Sequence, residues 1–179
     1  MIYGEVINLR EMRAEDMVCY NEMLNDPDIS EKVVGWSFPV SMNSQMQWFE
    51  RASSDKNNIR LTIADKQTDR AIGMVTLSSI DWQNRCATHG IKLHSSCPKL
   101  CGIGTDAVKT LMKYAFEEVN LNRLESTIID YNTASEKLYV KCGWTVEGIK
   151  RSAVYRKGSY HDLKVIGITA QDYFGKNKI

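Results

Sequence analysis

Residues 130–144 read DYNTASEKLYVKCGW and carry the densest set of structural signals in the chain. The run from Leu124 to Asp130 is rich in β-branched residues and predicts a short strand that leads into this stretch. Asn132 stands where a helix N-cap belongs, and Thr133 to Lys141 is predicted as a helix that ends before Gly143, a residue type common at helix C-termini. The stretch therefore predicts a strand, a polar turn and a short helix in direct succession.

A glycine loop, KLCGIGTD at residues 99–106, precedes this stretch. After it, apolar residues recur at helical spacing and predict a long amphipathic helix. These residues are Ala107, Val108, Leu111, Met112, Ala115, Phe116 and Val119. Glycines and the free backbone N–H groups at a helix N-terminus suit an anion such as phosphate. A dinucleotide-binding turn needs a third glycine and a Walker loop needs a GK[ST] ending, so the sequence excludes both.

The rest of the chain predicts a single domain, residues 1–179, with elements in the order β-α-α-β-β-β-α-β-α-β-β. The outlying elements are a strand Ile2 to Met12, a helix Ala14 to Leu24, a helix from the N-cap Ser41 to about Ser53, strands Arg60 to Ala64, Ala71 to Ser79 and Arg85 to His94, and strands Trp144 to Tyr155 and Asp162 to Thr169 around a Lys157-Gly158 turn. Helices mixed with a meander and returning strands indicate an α/β (α+β) fold.

Composition and charge exclude several classes of function. The 23 Lys and Arg residues nearly cancel the 22 Asp and Glu residues, which leaves no field for binding nucleic acid or an anionic membrane. No apolar run approaches the roughly 20 residues that cross a bilayer, and the N-terminus is too polar for a signal peptide, so we expect a cytoplasmic protein. The five cysteines are scattered. Cys97, Cys101 and His94 lack a second pair of ligands, so we expect free thiols and no metal.

Together, the glycine loop and residues 130–148 resemble the GNAT family of N-acetyltransferases, and the resemblance covers nearly the whole chain. It is strongest to the branch that contains ribosomal-protein N-terminal and polyamine acetyltransferases. The residues that carry it are Asn132, Ala134, Tyr139, Gly143, Trp144, Glu147 and Gly148. The resemblance implies a GNAT fold, in which a mixed, mostly antiparallel central sheet is splayed at the acetyl-CoA site and helices cover both faces. By analogy with the family we also expect a homodimer.

The resemblance implies acetyl-CoA as the cosubstrate. Its pyrophosphate would lie on the glycine loop, and its pantetheine arm would enter the gap between two splayed strands and bond to Asn132. The expected cofactor-binding residues are Ile91, Leu93, Lys99, Leu100, Cys101, Gly102, Ile103, Gly104, Thr105, Asn132 and Ser135. A helix N-cap is an alternative role for Asn132, and the two roles are compatible.

Tyr139 is the expected general acid, because the resemblance implies that its hydroxyl protonates the departing thiolate. A core tyrosine is the alternative. Some relatives carry a glutamate base five residues before Asn132, where this chain has Thr127. The candidates for the missing base are Asp81, His89, Glu125, Asp130 and His161. Of these we favour Asp130 and His89, although a structural role is open for each.

The acceptor is expected to meet the uncharged segment Val33 to Phe49, because helices after the first strand form the acceptor wall in this family. The candidate substrate-binding residues are Trp36, Phe38, Trp82 and His161. Aromatic and hydroxyl groups favour a small-molecule amine, such as an amino sugar or a nucleotide-linked amino sugar, and a polyamine would require carboxylates. The alternatives are N-terminal acetylation of a ribosomal protein, met by Glu22, Asp26, Asp28 and Glu31, acetylation of a polyamine, and a CoA-binding sensor without catalysis. Trp36 and Trp48 are also open to a role in the core or in a dimer contact.

Overall fold

The computed structural model describes residues 1–35, 38–52, 54–98 and 101–176. In these residues eight strands form one sheet with the order β1-β2-β3-β4-β5-β6-β8-β7. The strands are β1 (Ile2–Tyr3), β2 (Ile7–Arg10), β3 (Ile59–Asp65), β4 (Ala71–Asp81), β5 (Cys86–Leu93), β6 (Arg123–Ile129), β7 (Thr145–Arg156) and β8 (Ser159–Thr169). The helices are α1 (Asp16–Asn25), α2 (Pro27–Ser30), α3 (Met42–Ala52), α4 (Ile103–Lys113), α5 (Thr133–Lys141) and α6 (Ala170–Lys176), and α4 continues as one π-helical turn, Tyr114–Glu118.

The sheet is splayed in the middle. Strands β5 and β6 are parallel, and their pairing runs from Cys86 opposite Arg123 only to Thr88 opposite Glu125. The other neighbouring strands pair antiparallel. Both β5 and β6 continue past the last paired residues, so their backbones face an open gap. This confirms the predicted mixed, mostly antiparallel sheet that is splayed at its centre.

Helices cover both faces of the sheet, as predicted. On one face Met17, Tyr20 and Met23 of α1 pack with residues of α3 and with Met74 of β4. On the other face α4 packs against alternate strand residues, including Val75, the neighbour of Met74. Because side chains alternate along a strand, adjacent residues of β4 contribute to the two different layers.

The N-terminal segment differs from the prediction of one strand over Ile2 to Met12, because β1 and β2 form a hairpin. The Asp106 carboxylate accepts hydrogen bonds from the N–H groups of Glu5, Val6 and Ile7. A Cβ at Gly4 would lie 2.7 Å from an Asp106 oxygen, so the turn depends on a glycine there. The sequence analysis missed this hairpin because the residue that stabilises it lies about a hundred positions away.

Two short helices were also missed. The break predicted at residues 25–28 is followed by α2, where Asp26 accepts from the N–H of Asp28 at 2.9 Å and Pro27 occupies the first turn. Helix α6 follows β8. The other predicted elements are confirmed with ends shifted by a few residues. The Lys157-Gly158 turn has φ of 49° and 80°, and Gly143 has φ of 95°.

No helix among the described residues is long and apolar enough to span a membrane.

Candidate active site

A cleft of about 1050 Å³ opens where β5 and β6 separate. The end of β5, the start of α4, the middle of β6, the first turns of α5 and residues 28–34 line it. Many of the site residues predicted from the sequence line this cleft, including residues far apart in the chain such as His89 and Tyr139. Those that line the cleft are His89, Ile91, Leu93, Cys101, Gly102, Ile103, Gly104, Thr105, Asn132, Ser135 and Tyr139. Lys99 and Leu100 lie outside the described residues.

The start of α4 has a geometry that suits the predicted anion site. Gly102 is the N-cap of this helix and has φ of 79°, a left-handed conformation that favours glycine. The first N–H groups of a helix have no acceptor within it, and together with the helix dipole they attract negative charge. Asp106 brings a carboxylate into this first turn, but that carboxylate accepts three N–H groups from the turn between β1 and β2. Its charge is thereby compensated on the far side of the helix.

The unpaired edges of the two strands suit an extended ligand that carries amide groups. Beyond Thr88, β5 has no partner on the side of β6, so backbone N–H and C=O groups near Ile91 face the gap. Buried backbone polar groups need hydrogen-bond partners. An extended chain with its own amides provides them in the manner of an added strand. The glycine loop and these edges therefore fit the pyrophosphate and the pantetheine arm of acetyl-CoA.

Tyr139 and His89 form a hydrogen-bonded pair at the floor of the cleft. The Tyr139 hydroxyl lies 2.9 Å from His89 Nδ1, and the two residues are only 3% and 1% exposed. The ring of Trp144 contacts both in edge-to-face geometry, with centroid distances of 4.9 Å to Tyr139 and 5.4 Å to His89. The indole N–H of Trp144 is itself 3.2 Å from the sulfur of Met112. Three rings thus lock the hydroxyl in one orientation.

Burial determines the protonation states of the pair. It lowers the pKa of His89 to about 3, so the imidazole is neutral at physiological pH. Burial also raises the pKa of the Tyr139 phenol, with the nearby Ser126 hydroxyl acting in the opposite direction, so the phenol keeps its proton. His89 Nε2 is buried and has no hydrogen-bond partner among the described residues. The pair can hold and deliver a phenolic proton, whereas so low a pKa makes His89 a weak base.

Both polar atoms of the Asn132 side-chain amide form hydrogen bonds. Its Oδ1 accepts from the Ser135 N–H at 3.2 Å, which confirms the N-cap role. Its Nδ2 donates to the Lys32 carbonyl at 2.9 Å, about a hundred residues away. A bond from this side chain to the pantetheine arm stays a prediction. The structure adds a role that sequence reasoning missed, which is to hold residues 31–35 against the start of α5.

Other side chains tie the same segment, residues 31–35, to the cleft. Arg156 at the end of β7 donates to the carbonyls of Val33 at 3.1 Å and Gly35 at 3.3 Å. Lys157 forms an ion pair with Glu31 at 2.6 Å, and the Tyr131 hydroxyl donates to the Glu31 carbonyl. The β7–β8 hairpin therefore positions residues 31–35, which include the first residues of the segment Val33 to Phe49 that the sequence analysis assigned to the acceptor wall.

Asp130 and His161 lie together but do not line the cleft. Asp130 Oδ1 is 3.4 Å from His161 Nδ1 without hydrogen-bond geometry, and its Oδ2 accepts from the Asp162 N–H at 3.3 Å. His161 also contacts Ser159 Oγ at 2.9 Å. The structure thus pairs one predicted base with one predicted acceptor residue. A direct role for either in proton transfer stays a prediction.

Two of the predicted aromatic acceptor residues lie away from the cleft. Trp82 is 52% exposed in the turn between β4 and β5, at the end of β5 where it still pairs with β6. Phe38 is 66% exposed and does not line the cleft either. Trp36 lies outside the described residues. The structure therefore does not bring Trp82 and Phe38 to the site on which the prediction depends.

A second cavity, which we call the side pocket, lies between α1, α3 and the sheet and has a volume of about 470 Å³. It is lined by Tyr20, Met23, Leu24, Pro39, Val40, Ser44, Gln45, Trp48, Arg51, Met74 and Lys92. Met74 and Lys92 also line the cleft, so the two cavities adjoin. The sequence analysis missed Lys92 and Met74, although strand alternation assigns both to the face opposite Leu93 and Val75.

Among the described residues there is no group of three or more His, Cys, Asp or Glu side chains that could hold a metal ion. Cys97 donates to the Ile72 carbonyl, and Cys101 is exposed.

Comparison with known proteins identifies relatives along most of the chain. A family model described as an acetyltransferase (GNAT) domain matches residues 7–145. The uncharacterized N-acetyltransferase p20 of Bacillus licheniformis is 28% identical over 177 residues, which is 97% of this chain and 98% of that protein. The SPbeta prophage-derived uncharacterized N-acetyltransferase YokL of Bacillus subtilis (strain 168) is 26% identical and covers 95% of this chain and 93% of its own. YdaF of the same organism, a ribosomal N-acetyltransferase-like protein, is 32% identical over 58% of this chain and 56% of its own.

Among solved structures, spermidine N-acetyltransferase from Vibrio cholerae in complex with CoA and spermine superposes with a TM-score of 0.87. It covers 94% of this chain and 98% of its own at 21% sequence identity. A dodecameric structure of that enzyme gives a TM-score of 0.82 at 21% identity, over 96% of this chain and 98% of its own. At this level of identity the likeness shows a shared fold.

Proposed function

The chain belongs to the GNAT family of N-acetyltransferases, and from that premise we propose that it transfers the acetyl group of acetyl-CoA to the primary amine of a small molecule, with Tyr139 as the general acid. The observation that carries the assignment of Tyr139 is its buried hydroxyl, fixed by His89 at the floor of the gap between β5 and β6. GNAT enzymes use acetyl-CoA, which when bound supplies an activated acetyl thioester.

Separate residues of the chain bind the cosubstrate and handle the proton. The N–H groups of Gly102 to Thr105 bind the pyrophosphate, and the unpaired backbone near Ile91 and Leu93 binds the pantetheine arm. Tyr139 holds a proton on its phenolic oxygen for the thiolate that leaves. His89 is a positioning residue, because its Nδ1 fixes the direction of that hydroxyl while burial keeps the imidazole neutral.

The proton of the amine must leave before or during attack, and the described lining of the cleft contains no buried carboxylate. Thr127 stands where some relatives have a glutamate, and it lines the cleft. We propose that a water molecule carries this proton towards solvent, with Asp130, which lies beside His161, as a candidate acceptor. Asp130→Asn then lowers kcat less than Tyr139→Phe does.

Two acceptor classes have specific support. The structurally similar Vibrio cholerae enzyme is a spermidine N-acetyltransferase, which supports a polyamine as the acceptor. The partial likeness to YdaF supports a protein N-terminus as the acceptor. Three of the four acids that would receive a basic peptide already have partners, because Glu22 pairs with His94, Glu31 pairs with Lys157, and Asp26 caps α2. The fourth, Asp28, lines the cleft. The amino-sugar acceptor gains no support from these relatives.

The test is thiol release from acetyl-CoA with a panel of spermidine, apolar amino acids, amino sugars and basic peptides with free N-termini. Turnover with one class, lost in Tyr139→Phe but with acetyl-CoA still bound, supports the proposal. Calorimetric binding of acetyl-CoA without thiol release from any class would instead indicate a CoA sensor. Failure to bind acetyl-CoA would contradict the assignment of the cleft.

Self-association is a further proposal, since the Vibrio cholerae enzyme is described as a dodecamer. Sedimentation equilibrium distinguishes a monomer from a dimer or a larger ring.

A further inference from the structure

The side pocket has an unusual charge pattern for a site next to an amine acetyltransferase centre. Among its lining residues the charged ones are Arg51 and Lys92, and the described lining contains no carboxylate. Neither cation forms an ion pair with a described residue. A multiply charged cation such as a polyamine would meet only repulsion there.

Lys92 lies where the side pocket meets the cleft. It pairs directly with Met74 across the β4–β5 ladder, and directly opposite residues project to the same face of a sheet. Met74 packs against the cluster of Met17, Tyr20 and Met23, so the shared face is the one covered by α1 and α3. The Lys92 side chain therefore extends towards the side pocket, while its strand borders the gap between β5 and β6.

Lys92 is partly buried, and this burial lowers the pKa of its ammonium group. A desolvated cation is costly without a counter-ion, and a bound anion would remove that cost. The rest of the side pocket is largely apolar, with Met23, Val40 and Trp48 along its wall. The uncharged polar exceptions include Ser44 and Gln45. Gln45 is 3% exposed, and its amide contacts the sulfur of Met17 at 3.6 Å.

We propose that the acceptor is an amine that carries a carboxylate beside the amino group and a large apolar side chain, as an apolar α-amino acid does. The apolar side chain occupies the side pocket, Lys92 binds the carboxylate, and the amino group lies at the opening towards the cleft. This inference rests on the proposed acetyltransferase function and names its substrate class. A volume of about 470 Å³ is in the range of small-ligand sites.

The position of Lys92 suits the recognition of an α-amino acid over an amine without a carboxylate. In an α-amino acid one carbon separates the amine from the carboxylate, so a cation at the junction of the two cavities fixes both groups at once. Arg51, an exposed residue in the lining of the same pocket, adds positive potential. The ring of Trp48, over which the Arg60 guanidinium lies at 5.7 Å, provides a flat surface for the apolar side chain.

The test is a binding titration that needs no turnover. L-phenylalanine, L-methionine and L-tryptophan are titrated by calorimetry into the CoA-saturated protein, beside phenethylamine, which lacks the carboxylate, and spermidine. We expect at least one amino acid to bind about ten- to a hundredfold more tightly than phenethylamine or spermidine, the range of a hydrogen bond to a charged group. Equal binding of L-phenylalanine and phenethylamine, or tighter binding of spermidine, would overturn the proposal.

Variants separate the role of Lys92 from a general effect on folding. Lys92→Met keeps the length of the side chain and is expected to abolish the preference for the carboxylate, while Lys92→Arg retains most of it. Lys113→Met, on the exposed last turn of α4, is the matched control and should leave binding unchanged. An unchanged amino-acid affinity in Lys92→Met would also overturn the proposal.

Thiol release then distinguishes this inference from the proposed function. Turnover of spermidine or a peptide, without binding of any of the amino acids, would retain the acetyltransferase function and refute the substrate class. Binding of an amino acid that depends on Lys92, without thiol release, would support the substrate class and count against the proposed function. Turnover of an amino acid with a KM that rises in Lys92→Met, at constant KM for acetyl-CoA, would support both.

Discussion

Replacing Tyr139 with Phe removes one oxygen atom from the most rigid part of the candidate site. The hydroxyl is buried, it lies 2.9 Å from His89 Nδ1, and its ring is held by Trp144. Phenylalanine fills the same volume, so the three-ring packing is expected to persist. A general acid contributes about a hundred- to ten-thousandfold in rate, and we expect kcat to fall by that factor.

The substitution also has a cost in stability that can be worked out from the structure. In the wild-type protein His89 Nε2 already lacks a described partner, and Tyr139→Phe leaves Nδ1 without one as well. An unsatisfied buried polar group costs about 1–3 kcal/mol, which lowers Tm by about 2 to 12 °C in a chain of this size. The variant is therefore destabilised and remains folded.

A double-mutant cycle with His89→Leu isolates the pair. Because His89→Leu in the Tyr139→Phe background removes the stranded imidazole, the double variant should be more stable than the sum of the single effects, by about 0.5–3 kcal/mol. Urea denaturation gives the free energies of unfolding, and thiol release at saturating acetyl-CoA gives kcat. His89→Leu alone should lower kcat by less than Tyr139→Phe does, since it removes the positioning group and leaves the acid.

Two results would refute this reasoning. If Tyr139→Phe retained wild-type kcat at unchanged Tm, the phenol would be a core side chain without a chemical role. If the stability effects of the two single variants simply added, the hydrogen bond between Tyr139 and His89 would carry no coupling, and the proposed orientation of the hydroxyl would fail.

Three further predictions concern pH, the glycine loop and residues 31–35. Burial lowers the pKa of His89 from 6.5 to about 3 in the folded protein, so between these pH values the unfolded chain binds a proton that the folded chain does not. The free energy of unfolding should therefore fall as the pH drops from 6.5 towards 3. In urea denaturation at a series of pH values, His89→Leu should make this part of the pH dependence flatter. Gly104→Glu should abolish acetyl-CoA binding in calorimetry, because a Cβ there already lies 3.4 Å from Leu138 and the added carboxylate opposes the pyrophosphate, whereas Gly104→Ala should retain it. Arg156→Ala should raise the KM for the amine several-fold at constant KM for acetyl-CoA, since it releases the carbonyls of Val33 and Gly35, and an equal rise in both would assign Arg156 to general stability.

Much of the secondary structure can be predicted from residues that are close together in the chain. Helix α5 begins at Thr133 and ends at Lys141 as its cap residues predict, and the Lys157-Gly158 turn follows from its glycine. The glycine loop and Tyr139 could be predicted as site residues because the motifs that contain them are contiguous in the chain. Capping, turn geometry and helical periodicity depend on residues within a few positions of one another, so a sequence specifies them directly.

The pairing of His89 with Tyr139 illustrates the limit of that reasoning. The sequence analysis considered His89 as a base, and nothing near it in the chain indicates burial between two other rings. The N-terminal hairpin similarly depends on Asp106, and the acceptor segment depends on Arg156. In each case the partner is fixed by how helices and strands pack in the folded chain, and long-range contacts of this kind leave no local signature.

The sequence by itself predicted helix α5, the glycine loop and the candidate acid Tyr139, because each lies in a short contiguous run of residues, and its resemblance to the GNAT family predicted the fold. Only the tertiary structure decided the protonation of His89, the absence of Phe38 and Trp82 from the cleft lining, and the position of Lys92 at the junction of two cavities. These properties depend on burial and on which side chains share a face of the sheet. Burial is a property of the packed chain, since it is set by atoms that come from distant residues.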